Sequence, residues 1–328
     1  MTGADLRQTA LAAPIVPADA AGIAAAAQIL RQGGLVALPT ETVYGLAADA
    51  TSEAAVARIY AAKNRPNFNP LIVHVAQLEA ARAQGVFSAQ ALRLAEVFWP
   101  GPLTLVVPVS TAASVCASAR AGLPTVALRA PSHDIARTVL AAAGRPFAAP
   151  SANRSGRVSP VTALHVARDL GAKVDLILDG GRCPVGVEST IISCAGPPRL
   201  LRPGGIPREK IEAVLGHALE TPAAGVRPFA PGMLQSHYAP RATLRLEAAS
   251  LAEGEAGLDF GGVFGLAQNA LDLSPSRDLA EAAANLFSYL RALDGQNPAA
   301  IAVAPIPETG LGEAINDRLR RAAAPRPR

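Results

Sequence analysis

At 328 residues, half of them apolar and only 4% aromatic, the chain can form one large or two modest domains with alanine and small aliphatics filling the core. Thirty basic side chains against 26 acidic ones leave a net charge of +4, which permits contact with nucleic acid but does not argue for it. Three cysteines without a C-x-x-C pair exclude a disulfide framework and a thiolate metal site, and no apolar run reaches the ~18 residues of a membrane span.

Residues 1–19 read as a loose lead-in, and MTGADLRQTA has no basic stretch running into an apolar one, so a cytoplasmic protein is expected. Ile23, Ala27 and Leu30 recur at helical spacing before Gly33-Gly34 stops the helix. A short strand at 35–38 ends at Pro39, which has no N–H for a ladder, and Thr40, Glu41, Thr42, Tyr44 and Gly45 follow as a polar cluster. Ser52 reads as the N-cap of a helix carrying Val56, Ile59 and Tyr60. Lys63 and Arg65 stand at its end, in a segment broken by Pro66 and Pro70, and a strand at 71–75 contains His74. A helix at 89–98, closed by WPGP, precedes strands at 103–109 and 125–130, where alternation puts Arg129 out of step with Val126 and Leu128. A helix at 133–143 and a short strand then lead into PSANRSGRVSP, a helix at 161–170, and strands at 174–181 and 189–194. Without a regular βαβ period, the sheet is expected to be mixed.

From 204 to 240 prolines and glycines recur, which reads as a linker or a functional lid. Beyond it TLRLEAA and GGVFGLA read as strands. An amphipathic helix at 276–293, a strand at 299–306 and a closing helix at 310–323 complete a small two-layer α/β unit. The tail APRPR is expected to be disordered.

Several side chains admit two readings. Lys63 and Arg65 are a solvated cap favoured by the helix dipole, or a cationic clamp on phosphate. Ser151 and Asn153 form a local turn, or offer hydroxyl and amide groups to a phosphate with Arg154, Ser155 and Ser159. Neither G-x-x-x-x-G-K-[ST] nor G-x-G-x-x-G occurs, so a nucleotide would be held in another way. His74 is ordinary as a satisfied strand histidine, but an arginine between Leu128 and Ala130 is costly to bury unpaired, and both would suit a ligand carboxylate. Glu188, Ser189 and Thr190 cap a strand locally or hold an amino or hydroxyl group. Tyr238 is a stacking candidate for a base. These residues describe an enzyme handling a phosphate ester and a small acid, with a non-catalytic nucleotide-binding module equally open.

PTETVYGLA, Lys63-Asn64-Arg65 with PNFNPLIVH, WPGPLTLV, PTVALRAP, Ser151-Ala152-Asn153, GVESTI, LRPG and PGMLQSHYAP stand in one order along the chain. In these motifs it resembles the Sua5/YrdC/YwlC family in its long two-domain form. The resemblance implies a YrdC-like α/β domain at 15–208 with a twisted mixed sheet, a linker or lid at 209–240, and a small Rossmann-like α/β Sua5 domain at 241–324. It also implies L-threonylcarbamoyladenylate synthesis from L-threonine, bicarbonate or CO2, and ATP, with Mg2+ carried on the nucleotide phosphates and no protein metal site. The product would pass to the machinery that transfers threonylcarbamoyl to tRNA. By the same resemblance Thr42, His74, Arg129 and Ser189 surround threonine. Lys63, Arg65, Asn69, Thr125, Ser151, Asn153, Ser159, Arg202 and Tyr238 line the ATP side, with Lys63 and Arg65 catalytic. The alternative is a nucleic-acid-binding module, with weak RNA contact also admitted for the enzyme and no membrane contact expected.

Overall fold

The computed structural model describes residues 13–220, 237–265 and 267–325. β1 (Ile15–Pro17) leads into α1 (Ala20–Arg31), whose N-cap Asp19 accepts from Gly22 N at 2.8 Å. β2 (Val36–Leu38) and β3 (Gly45–Asp49) pair antiparallel around a buried polar loop. Ser52 caps α2 (Glu53–Lys63) through Ala55 N, as its position predicts. Then come β4 (Ile72–His74), α3 (Leu78–Gln84), α4 (Ala89–Phe98), β5 (Leu103–Pro108) and β6 (Thr125–Arg129). α5 (Asp134–Ala143), β7 (Phe147–Ala148), α6 (Ala163–Leu170), β8 (Leu176–Asp179), β9 (Thr190–Ser193), β10 (Arg199–Arg202) and α7 (Arg208–Leu215) complete the first unit.

Its ten strands form one sheet in the order β1-β8-β2-β3-β7-β4-β6-β5-β9-β10. The pairing is mixed, as the irregular alternation of elements predicts: β4/β6 and β5/β9 are parallel, β5/β6 and β9/β10 antiparallel. Helices α1 and α5 cover one face through Ala26, Leu30, Val139 and Leu140, packed on Val36, Leu38, Ala47 and Phe147. Six of the fourteen buried residues in this layer are alanine, which lets helix and sheet approach closely.

The second unit comprises β11 (Thr243–Arg245), β12 (Glu255–Asp259), β13 (Ala270–Asp272), α8 (Leu279–Gly295), β14 (Ala300–Val303) and α9 (Leu311–Ala323). Its sheet is parallel, in the order β11-β14-β12-β13. Here one expectation is corrected. The described residues 261–265 of GGVFGLA are bends and turns, not a strand. Gly261, Gly262 and Gly265 all take positive φ (70°, 76° and 62°), and the Asp259 and Asp272 carboxylates accept from backbone N–H groups of this loop. The strands lie on either side of it, in EAGLD and ALD. The sequence reading also passed over β1, which pairs with β8 inside the expected loose lead-in, and over β3, β10, α3 and α7. α7 occupies the start of the proline-rich stretch and buries Ile211 and Leu215. Of the lid expected at 209–240, residues 221–236 lie outside the described residues.

The two units meet closely. Gly186 of the first unit takes φ +76°, and a Cβ there would lie 2.3 Å from Ala283 O of α8, so only glycine fits. Ion pairs Arg291–Asp169 (2.6 Å) and Arg208–Glu313 (2.5 Å) also join the two units. No helix among the described residues is long and apolar enough to cross a membrane.

Candidate active site

Parallel pairing of β4 and β6 sets His74 opposite Arg129. Alternation then places both on the sheet face of Ile72 and Ala127, which form a small apolar cluster with Val106, Ile191 and Leu201. Both side chains are buried. Arg129 Nη2 lies 2.7 Å from Glu41 Oε1, but the contact is not an aligned hydrogen bond, and Arg129 Nε and both His74 ring nitrogens also have no hydrogen-bond partner. Burial, reinforced by the Arg129 charge, pushes the His74 pKa down to about 3, so the ring is neutral. For Glu41 burial acts upward, yet the charge of the Arg129 guanidinium outweighs it and holds the carboxyl below its ordinary value.

His74 and Arg129 open into a cavity also lined by Thr42, Arg65, Ser151, Glu188, Ser189, Arg202, His237 and Tyr238. Distant motifs converge here for identifiable reasons. The Ser151–Asn153 loop is tied to the start of β3 by Ala152 N donating to Tyr44 O (2.8 Å), and to the end of α2 by Ser155 N donating to Lys63 O (2.9 Å). Arg202, at the end of β10, donates to Ser189 O at 2.9 Å, and Ser189 Oγ sits 2.7 Å from Thr104 Oγ1. The chain after Arg202 crosses residues 188–190 so closely that a Cβ on Gly204 would lie 2.4 Å from Glu188 O.

Of the thirteen residues that the resemblance assigns to threonine or ATP, Thr42, Arg65, His74, Arg129, Ser151, Ser189, Arg202 and Tyr238 therefore line one cavity. The other five stand elsewhere. Lys63 is buried behind the loop, its amine donating to Ser151 O at 2.5 Å and to Asn153 O. Burial, with Arg65 adding to it, lowers its pKa well below the lysine range. Asn153 turns its amide to Arg154 O and Arg157 O (2.9 and 2.7 Å), while its Oδ1 has no hydrogen-bond partner. Ser159 donates to Glu188 Oε1 at 2.6 Å, and buried Asn69 lends its carbonyl to Arg65 Nε at 3.2 Å. Thr125 begins β6, four residues and roughly 13 Å of strand from Arg129.

Three groups lining or adjoining the cavity lie outside the residues that the resemblance assigns to threonine or ATP: His237, Glu41, and Glu188, which the sequence offers only as a strand cap or a holder of an amino or hydroxyl group. Each lies inside a motif that sequence inspection had isolated, but only the folded arrangement turns them inward. His237 has its pKa lowered to about 3, by burial first and then by Arg65, Lys63 and Arg202, against the opposing pull of Glu188. Tyr238 is stacked on Phe287 of α8 (5.6 Å between ring centres) and takes φ +62°, a region that strains a bulky residue. Among the described residues Glu188 is the only carboxylate lining the cavity and is already engaged by Ser159, and they contain no cluster of three or more His, Cys, Asp or Glu that could hold a metal. The donor set therefore does not fit a Mg2+ ion held by the protein alone.

The buried histidines have a consequence for acid stability. His74 and His237 stay neutral in the folded protein down to about pH 3, whereas the unfolded chain protonates them near pH 6.5. Each contribution is complete above pH 6.5 and drains as pH falls toward 3, by about 1.4 kcal/mol per pH unit. Urea unfolding between pH 7 and 5 is expected to show this decline, and His74→Gln to make it shallower by one histidine's share. An unchanged slope in that variant would refute the assignment.

Comparison with known proteins accounts for nearly the whole chain. Residues 28–204 match the Sua5/yciO/yrdC family, described as telomere recombination, and residues 206–324 match the threonylcarbamoyl-AMP synthase C-terminal domain. Threonylcarbamoyl-AMP synthase of Pyrococcus abyssi is 43% identical over 317 residues, covering 91% of this chain and 93% of its own length. That of Bacillus subtilis is 42% identical over 324 residues, covering 93% of each. The crystal structure of P. abyssi Sua5 complexed with L-threonine shares 39% identity and a TM-score of 0.88, covering 94% of this chain and 97% of its own.

Proposed function

The chain belongs to the Sua5/yciO/yrdC family, and from that premise we propose that it condenses L-threonine, bicarbonate or CO2, and ATP into threonylcarbamoyl-AMP and pyrophosphate. The observation that carries this reading is the pair Arg129 and His74, adjacent, buried and with free donor capacity, facing the same cavity as Arg65 and Arg202. A cavity with unused donors at one end and two guanidinium groups in its wall fits a small amino acid beside a polyphosphate.

On this reading Arg129 and neutral His74 hold the threonine carboxylate, with Thr42 and Ser189 offering hydroxyls to the rest of the substrate. The threonine amine adds to CO2, and the resulting carbamate oxygen attacks the α-phosphorus of ATP as pyrophosphate leaves. The protein's work is alignment and neutralisation of developing charge. Arg65 supplies charge directly, its pKa lowered to about 10 by burial and by Arg202. Ser151 presents its loop to the phosphates, and Lys63 and Asn153 hold that loop in shape. Asn69 braces Arg65, Ser159 braces Glu188, and Thr125 lies farther along β6. Mg2+ arrives as part of the nucleotide substrate. The space left in the cavity is about 50 Å3, far below the ~300 Å3 at the low end of ligand clefts. On this reading His237 and Tyr238 shift for ATP to enter, between a catalytic unit at 15–208, onto which α7 packs, and a second unit at 241–324. The product, a labile mixed anhydride, passes to the tRNA threonylcarbamoyl-transfer machinery of the cytoplasm.

The test is pyrophosphate release from ATP, Mg2+ and bicarbonate with and without L-threonine. Release that requires threonine supports the reading, and release indifferent to threonine overturns it.

A further inference from the structure

Arg318, on α9 of the second unit, is completely buried. Its Nε donates to Glu188 Oε2 at 2.8 Å, and its Nη1 donates to Pro203 O at 2.9 Å and to the neighbouring Asp317 carboxylate at 2.8 Å. Its guanidinium carbon lies 5.3 Å from the centre of the Tyr238 ring, within cation–π range. One side chain from the second unit thus touches three separate parts of the first unit's site. Glu188 lines the cavity, Pro203 follows cavity-lining Arg202, and Tyr238 closes the cavity from the connecting segment.

Burial of a guanidinium is tolerated only with acceptors in place, and two of these three contacts supply them. The contacts also fix what they touch. Glu188 receives Arg318 on one oxygen and the Ser159 hydroxyl on the other, so its carboxylate has a single orientation. Gly186, two residues earlier, admits the backbone of α8 where any side chain would clash. α9 is itself held by Ile315 and Leu319 in the common core.

We infer that Arg318 is a positioning residue for the synthase reaction, fixing Glu188 in the cavity wall and holding Tyr238, which the proposed function places on the nucleotide side. The second unit is thereby a working part of the active site. This rests on the function proposed above and adds to it a group from outside the catalytic unit. Arg318 itself need not touch substrate.

The test compares wild type, Arg318→Met and Arg318→Lys in the full-length protein for KM of ATP, KM of threonine, kcat and melting temperature. In Arg318→Met, KM for ATP is expected to rise roughly tenfold or more while KM for threonine stays within about twofold. In Arg318→Lys the charge beside Glu188 is kept, so melting is expected near wild type. KM for ATP should be recovered only in part, because one ammonium cannot serve Glu188, Pro203 and the ring together. A merely structural arginine would lower melting and the yield of folded enzyme with both KM values unchanged, and that result overturns the inference. Equal rises in the two KM values overturn it as well. If Arg318→Met does not fold, Arg318→Lys decides alone, an unchanged KM for ATP being fatal. A wild type releasing pyrophosphate without regard to threonine would instead sink the proposed function itself.

Discussion

Replacing Arg129 by methionine together with Glu41→Gln is expected to weaken L-threonine binding by about 10²–10³-fold while ATP binding changes little. Arg129 lies 2.7 Å from Glu41 in a buried pair, so removing the arginine alone would strand a carboxylate and confuse loss of folding with loss of binding. The second substitution removes that charge and leaves the carboxylate site as the main difference. Titration of threonine followed by calorimetry measures the effect. L-threonine amide, which lacks the carboxylate, provides the control and is expected to bind wild type and variant equally poorly. A variant that bound threonine normally, or an amide bound as well as threonine by wild type, would remove Arg129 from the substrate.

The second large effect concerns Lys63. Its amine is held by two backbone carbonyls of the Ser151–Asn153 loop, and the side chain is only 1% exposed. Lys63→Met keeps the aliphatic stem but orphans both carbonyls, at about 1–3 kcal/mol each. A lower melting temperature is therefore expected, together with a fall of about 10²-fold in kcat/KM for ATP as the loop drifts on the order of 1 Å. Arg65→Met should behave differently. Arg65 donates to carbonyls of its own loop, Asn69 and Pro70, and Asn69 O keeps the Tyr60 hydroxyl as a second donor, so activity should fall with a smaller drop in melting than for Lys63→Met. Scanning calorimetry beside steady-state kinetics separates the two patterns. Lys63→Met that melted like wild type but lost activity would mean that the amine serves phosphate, as the sequence motif alone would have it, and not the loop.

Much of the local structure follows from short-range chemistry. The extents of α1, α2 and α4 are written in their caps and apolar spacing, because a helix end depends on which nearby side chain satisfies its first N–H groups. Strands β2, β4, β5 and β6 show as apolar runs. The failures are equally physical. β12 carries Glu255 and Asp259 at its ends and a glycine at its centre, so it has no strand-like composition. It is a strand because it lies between β13 and β14. GGVFGLA has the composition of a strand, but its glycines take left-handed conformations and two carboxylates hold its backbone.

The sequence by itself determined the family motifs, the mixed character of the first sheet, and a set of side chains of which eight share one cavity. Only tertiary structure decided that Lys63 points to backbone carbonyls, that Glu188 and His237 face inward, and that Arg318 reaches Glu188 across 130 positions of chain. The reason lies in range. Caps and strand alternation act between residues a few positions apart, whereas the partner of a buried charge is chosen by which distant backbone or acid the folded core brings within hydrogen-bond distance.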